Sequence, residues 1–269
     1  MIKKRILWIS ISLFILVCII YIGYIIVGYY SLADEIITQK TKNTHEGDSL
    51  IVICMGDSWA SYHSQYDQHL KTCIETKVKK PTKVISKGTV GAKTKSIYKE
   101  MHIDGPSGTK ELIELLPNYA IVSAGINDAV AKMGTKNYCH HYNLIIKELI
   151  SAGIKPIIID MPQVDYRAIY QRESMIAKIR HHISSWITGA PLWTFDNYRS
   201  ALQSLIRQDA IKNRLIYIYA SEWNPEGFKD SRHLYLEDHV HLNEKGYFLL
   251  DSCLTSTIYQ DIMSTHDFQ

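Results

Sequence analysis

The chain has 269 residues, 46% of them hydrophobic and 21% charged, which suits one folded domain of ~200–250 residues plus an accessory segment. A net charge of +3 is too small to mark a nucleic-acid surface. No basic stripe interleaved with aromatics appears, and "TKVKKPTK" (76–83) reads as a solvated patch.

In chain order, Lys3, Lys4 and Arg5 precede an apolar stretch, "ILWISISLFILVCIIYIGYIIVGYY" (6–30), and no charge follows until Asp34. A bilayer core of ~30 Å needs about 20 helical residues, so this stretch is long enough to span it. The basic residues before it predict a short cytoplasmic tail (1–5), a transmembrane anchor (6–30) and an extracytoplasmic remainder. A cleaved signal peptide has a shorter apolar core of ~7–15 residues, although Ser31-Leu32-Ala33 resembles a cleavage site. A lipoprotein would use Cys18, but Val17 stands where a small residue is expected.

Residues 31–48 are polar and without strong periodicity, as in a stalk or linker, and the folded domain is expected over 49–269. Strands are predicted at "SLIVICM" (49–55), "TKVISK" (82–87), "YAIVSA" (119–124), "KPIIID" (155–160) and "RLIYIY" (214–219). Helical patterns lie at 109–116, 138–153, 198–212 and 243–263, with Gly153 as a C-cap. This alternation predicts an α/β fold with a parallel sheet of about five strands and helices on both faces. The stretch from Asp165 to Trp193 is helical but irregular, and the alternation gives it no place.

In such sheets ligands bind beyond the carboxyl ends of the strands, and polar clusters follow the apolar runs there. The first run leads into Gly56-Asp57-Ser58, the second into "GTVGAKT" with Gly88 and Gly91, and the third into Gly125-Ile126-Asn127-Asp128. Asp238-His239-Val240-His241 precedes the terminal helix. These are the parts that acyl transfer through a serine requires. A hydroxyl needs a base, histidine is suited to that near neutrality, and an acid three residues earlier can hold the ring in one tautomer. The backbone N–H groups of Ser58 and Gly91 and the amide of Asn127 can supply an oxyanion hole.

The four blocks, in this order, resemble those of the SGNH (GDSL-type) serine hydrolase family over roughly residues 49–260. The resemblance implies a three-layer, flavodoxin-like α/β/α sandwich. It also implies catalysis by Ser58 as nucleophile, His241 as base and Asp238 as its orienting acid. Gly91 and Asn127 would then serve in the oxyanion hole, with no cofactor. Departures from the common pattern are Trp59 after the serine, where leucine is usual, a second glycine (Gly88) in block two, and a long stretch between "MPQVD" (161–165) and the last strand. Trp59 and Tyr62 are candidates for the wall of an acyl pocket.

The expected partner is an acyl ester, with O-acyl (acetyl) groups on envelope or extracellular carbohydrate suggested by location alone. An O-acyltransferase using the same triad and a non-catalytic anchored binding module are the competing readings. His233, His239 and His241 together suggest a metal site, but no acid–histidine helix motif accompanies them, so no metal is expected. Cysteines at 18, 54, 73, 139 and 253 form no C-x-x-C pair, and nothing demands a Cys73–Cys139 bridge.

Overall fold

A computed structural model describes residues 2–36, 48–162, 164–225 and 230–266. It divides into two units, Met1–Asp34 and Glu35–Gln269. The first holds helix α1 (Ile2–Tyr30), of which Trp8–Tyr30 is long and apolar enough to cross a membrane, with a mean hydropathy of 2.7. The three basic residues fall within its first turns, so helix extends through positions 2–5, expected as a tail. Most of the expected linker, residues 37–47, lies outside the described residues. Just before it, Glu35 pairs with Lys147 at 3.6 Å, and the Ile36 N–H donates to Tyr98 Oη at 2.7 Å.

The second unit is built on five parallel strands: β1 (Leu50–Gly56), β2 (Thr82–Gly88), β3 (Tyr119–Ser123), β4 (Lys155–Ile159) and β5 (Ile216–Ile218), in the order β2-β1-β3-β4-β5. Val52, Ile53, Met55, Ala120, Val122, Ile157 and Ile158 are fully buried, as runs covered on both faces must be. Both neighbours of β1 pair with it in register, Gly56 lying opposite Gly88 and Ser123. The chain leaves β1 for β2 on one side and resumes at β3 on the other, so a crevice opens where these strands end.

Helices α2 (Ser58–His63), α3 (Asp67–Val78), α4 (Thr94–Glu100), α5 (Lys110–Glu114), α6 (Ile126–Val130) and α7 (Thr135–Ser151) connect the first four strands. Then come α8 (Tyr166–Arg172), α9 (Met175–Thr188), α10 (Asp196–Ile206), α11 (Ala220–Trp223) and the terminal α12 (Glu244–His266). α12 packs on α3, while α4 and α10 pack on α7. The architecture is the α/β sandwich expected, with two differences. β5 is shorter than 214–219, because the Arg214 N–H is spent on a turn to Ile211 O and the Tyr219 N–H is taken by Glu222, which caps α11. The unplaced stretch resolves into α8 and α9, each opened by a side-chain N-cap, Asp165 to Ala168 N–H and Ser174 to Ala177 N–H.

Candidate active site

β1 delivers Gly56-Asp57-Ser58 to the crevice. The Asp57 carboxylate accepts from Trp59 N–H at 3.0 Å, and the Asp57 N–H donates to Ser123 O at 3.1 Å, so the turn is pinned to β3 and Ser58 opens α2. Of the two glycines in the second block, Gly88 allows close packing: a Cβ there would lie 2.2 Å from Asp57 O. Gly91 has φ +78° as third residue of the turn Thr89–Ala92, closed by Ala92 N–H to Thr89 O at 3.0 Å, where a left-handed conformation favours glycine. Thr89 N–H also donates to Gly56 O at 3.1 Å, which seats this turn beside the serine's.

The third block grips the second. The Asn127 amide donates to Ala92 O at 3.0 Å, and the Asp128 carboxylate accepts from both Thr94 N–H at 2.9 Å and Thr94 Oγ at 2.7 Å. Asp128 therefore caps α4 across the sheet edge, not its own helix. Burial raises its pKa to about 6, against the hydrogen bonds from Thr94. Burial likewise raises that of Asp57 to about 7, with the nearby Asp128 charge adding to the effect.

The fourth block closes the constellation. Asp238 accepts from the backbone N–H groups of Val240 at 2.9 Å and His241 at 3.0 Å, which makes a tight turn in which His239 takes φ +60°. Its other oxygen lies 2.5 Å from His241 Nδ1, and His241 Nε2 lies 2.8 Å from Ser58 Oγ. Partial burial pushes the Asp238 carboxyl up, but the hydrogen bonds from His241 and Val240 outweigh it and hold the group below its ordinary range. An ionised acid so placed keeps Nδ1 protonated and leaves Nε2 to accept from the hydroxyl.

Trp59, expected to face substrate, turns inward instead. It is 3% exposed, packs edge-on to Trp223 and Tyr247, and donates from Nε1 to Val240 O at 3.1 Å. The first helical residue after the serine points under the turn, where an indole can brace the histidine loop. Tyr62 is half-buried, its ring 4.5 Å from that of His241. His239 and His233 do not join His241, whose ring nitrogens face Ser58 and Asp238. All five cysteines are free.

Several contributors were not singled out from the sequence. Tyr247 Oη donates to Trp59 O at 3.0 Å. Asp251, fully buried on α12, is shared by His63 Nε2 and His69 Nδ1, each at 2.7 Å. Burial alone would lower the His63 pKa, but the neighbouring Cys54, Asp251 and Asp67 reverse the direction and raise it, and the His63–Asp251 hydrogen bond holds α2 to α12. Arg172 donates to Glu237 O at 2.8 Å, tying α8 to the residue before Asp238. The regular spacing of aliphatics on α12 marks it as a core helix and gives no hint of these polar ties.

No protein-family model and no curated protein matches the sequence. Solved structures do match. A GDSL-like lipase from Bacteroides thetaiotaomicron VPI-5482 aligns at 13% identity over 82% of this chain and 92% of its own, with a TM-score of 0.55. A lipase/acylhydrolase from Enterococcus faecalis aligns at 16% identity over 79% and 96% respectively, TM-score 0.55. The acetyl xylan esterase AlAXEase aligns at 16% identity over 78% of this chain and 100% of its own, TM-score 0.54. The second unit has the fold of the SGNH, GDSL-type hydrolases.

Proposed function

We propose that the chain is a serine ester hydrolase working through an acyl-enzyme. The observation that carries this reading is the continuous line from Asp238 through His241 to Ser58, at 2.5 and 2.8 Å. Ser58 Oγ attacks the ester carbonyl as its proton passes to His241 Nε2. The tetrahedral intermediate expels the alcohol, which takes that proton. Water then repeats the sequence in reverse, His241 accepting a proton from the water and returning it to Ser58 as the carboxylic acid leaves. Asp238 stabilises the imidazolium formed in each half-reaction. The backbone N–H groups of Ser58 and Gly91 and the second amide hydrogen of Asn127 receive the oxyanion, Asn127 being aimed by its bond to Ala92 O.

Within the same reading, α1 is an uncleaved anchor with its amino terminus in the cytoplasm and the hydrolase outside. The substrates are O-acyl, above all O-acetyl, groups on envelope or extracellular carbohydrate. The fold shared with an acetyl xylan esterase supports that substrate class. The test is labelling with a fluorophosphonate probe: wild type is labelled, Ser58→Ala is not, and His241→Ala labels at least ~10³-fold more slowly. An ester panel should then favour acetyl over long-chain esters. An unlabelled wild-type chain that hydrolyses no ester would refute the reading, and acylated sugar accumulating from donor and polysaccharide would replace it with acyl transfer.

A further inference from the structure

Helix α9 is built inside out. With about 100° of turn per residue, Met175, Ile176, Ile179, Ile183, Trp186 and Ile187 fall within an arc of about 120°, and every one of them is exposed. Met175, Ile176 and Trp186 reach 72, 80 and 85%. The face turned inward carries Ala177, His181, Ser184 and Thr188, with His181 and Ser184 buried. That polar face is tied to the fold: His181 Nε2 hydrogen-bonds Glu173, and Thr188 Oγ1 donates to Lys132 O at 2.9 Å. The apolar arc therefore does not belong to the core of this domain.

Charge and connectivity identify what covers it. α9 carries no acidic residue. The cationic side chains flank the arc, exposed Arg180 on one side and half-buried Lys178 on the other. An apolar arc bearing a tryptophan, edged by cations, fits the boundary between headgroups and acyl chains of an anionic bilayer. A polypeptide partner would not require the cationic border. The same chain begins with a helix long and apolar enough to span a bilayer, and only residues 31–34 separate it from the second unit.

We propose that α9 is an interfacial helix that lays its Met175–Ile187 arc onto an anionic lipid surface. The inference takes from the proposed function the reading of α1 as an anchor. Because Arg172, two residues before α9's cap, donates to Glu237 O beside Asp238, a docked α9 sets the rim of the catalytic crevice at the membrane.

The experiment reconstitutes the full chain into vesicles of phosphatidylcholine and phosphatidylglycerol whose acyl chains are brominated. It reads the emission of Trp186 as the difference between wild type and Trp186→Phe. Bromination should remove more than about half of that emission, and Ile179→Glu combined with Ile183→Glu should restore it, while hydrolysis of a soluble acetyl ester stays within about twofold. Emission untouched by bromination overturns the proposal, and if that emission is also shielded from an aqueous quencher, a second copy or another polypeptide covers the arc. Alkaline carbonate separates the two readings. A chain that resists extraction with Trp186 unquenched keeps its anchor and loses the docking helix. A chain stripped by carbonate whose Trp186 was quenched beforehand loses the anchor and keeps the docking helix. Quenching without any ester hydrolysis supports docking and sinks only the proposed chemistry.

Discussion

The crevice between β1 and β3 and the α8–α9 segment treat the same kinds of side chain in opposite ways. Around Ser58 the large rings Trp59 and Tyr247 turn inward and carry polar ties, Trp59 to Val240 O and Tyr247 to Trp59 O. On α9 the large apolar side chains turn outward, while His181 and Ser184 turn inward. Burying an indole that also satisfies a carbonyl fixes a loop in one position. Exposing one fixes nothing within the domain and calls for an external apolar phase. Tight packing is thus concentrated where the Ser58 hydroxyl and the His241 imidazole stand at hydrogen-bond distance, and exposed apolar surface on α9.

The strongest way to break the rigid half chemically is Asp238→Asn. It leaves the turn able to accept from Val240 and His241 N–H but no longer fixes the ring tautomer, and kcat for a soluble ester should fall by about 10⁴ with Tm nearly unchanged. Steady-state kinetics beside thermal melts check this; a loss of less than tenfold would remove Asp238 from the mechanism. Asp251→Ala attacks the support instead. It strands the buried His63 without its carboxylate and should cost about 3–5 kcal/mol of stability, seen as a lower denaturant midpoint. A charge inserted on α9, Ile183→Glu, should by contrast leave that midpoint unmoved, and equal losses at the two sites would erase the contrast.

A smaller effect sharpens the comparison through pH. Asp57 and Asp128 have folded-state pKa values raised by burial to about 7 and about 6. A raised value means that their contribution to stability is complete below the unfolded pKa near 4 and is lost as pH rises through 6 and 7. Wild type should therefore lose on the order of a few kcal/mol from this pair across that window. Asp57→Asn keeps the acceptor for Trp59 N–H but cannot ionise, so its Tm relative to wild type should climb between pH 4.5 and 7.5. A difference that does not vary with pH would count against the buried carboxylate.

Much of the site was readable because its parts are local. A Gly-Asp-Ser turn after an apolar run, a Gly-x-Asn-Asp and an acid three residues before a histidine each express a short-range geometry, and Asp238 and His241 meet within one turn. The supports were not readable, because each joins residues far apart in sequence: Asp128 with Thr94, Trp59 with Val240, Asp251 with His63 and His69. Trp59 was misjudged for that reason. Its neighbour in sequence faces the crevice, but its own direction depends on a carbonyl 181 residues away.

The sequence by itself determined the layered α/β fold, the apolar amino-terminal helix and the four polar turns, since strand burial, helix periodicity and turn chemistry act over a few residues. Only the tertiary structure decided that Ser58 and His241, 183 residues apart, stand at hydrogen-bond distance, and which way α9 faces. Periodicity reveals that a helix has an apolar side but carries no information on whether that side meets the core or the outside; packing of the whole chain makes that choice.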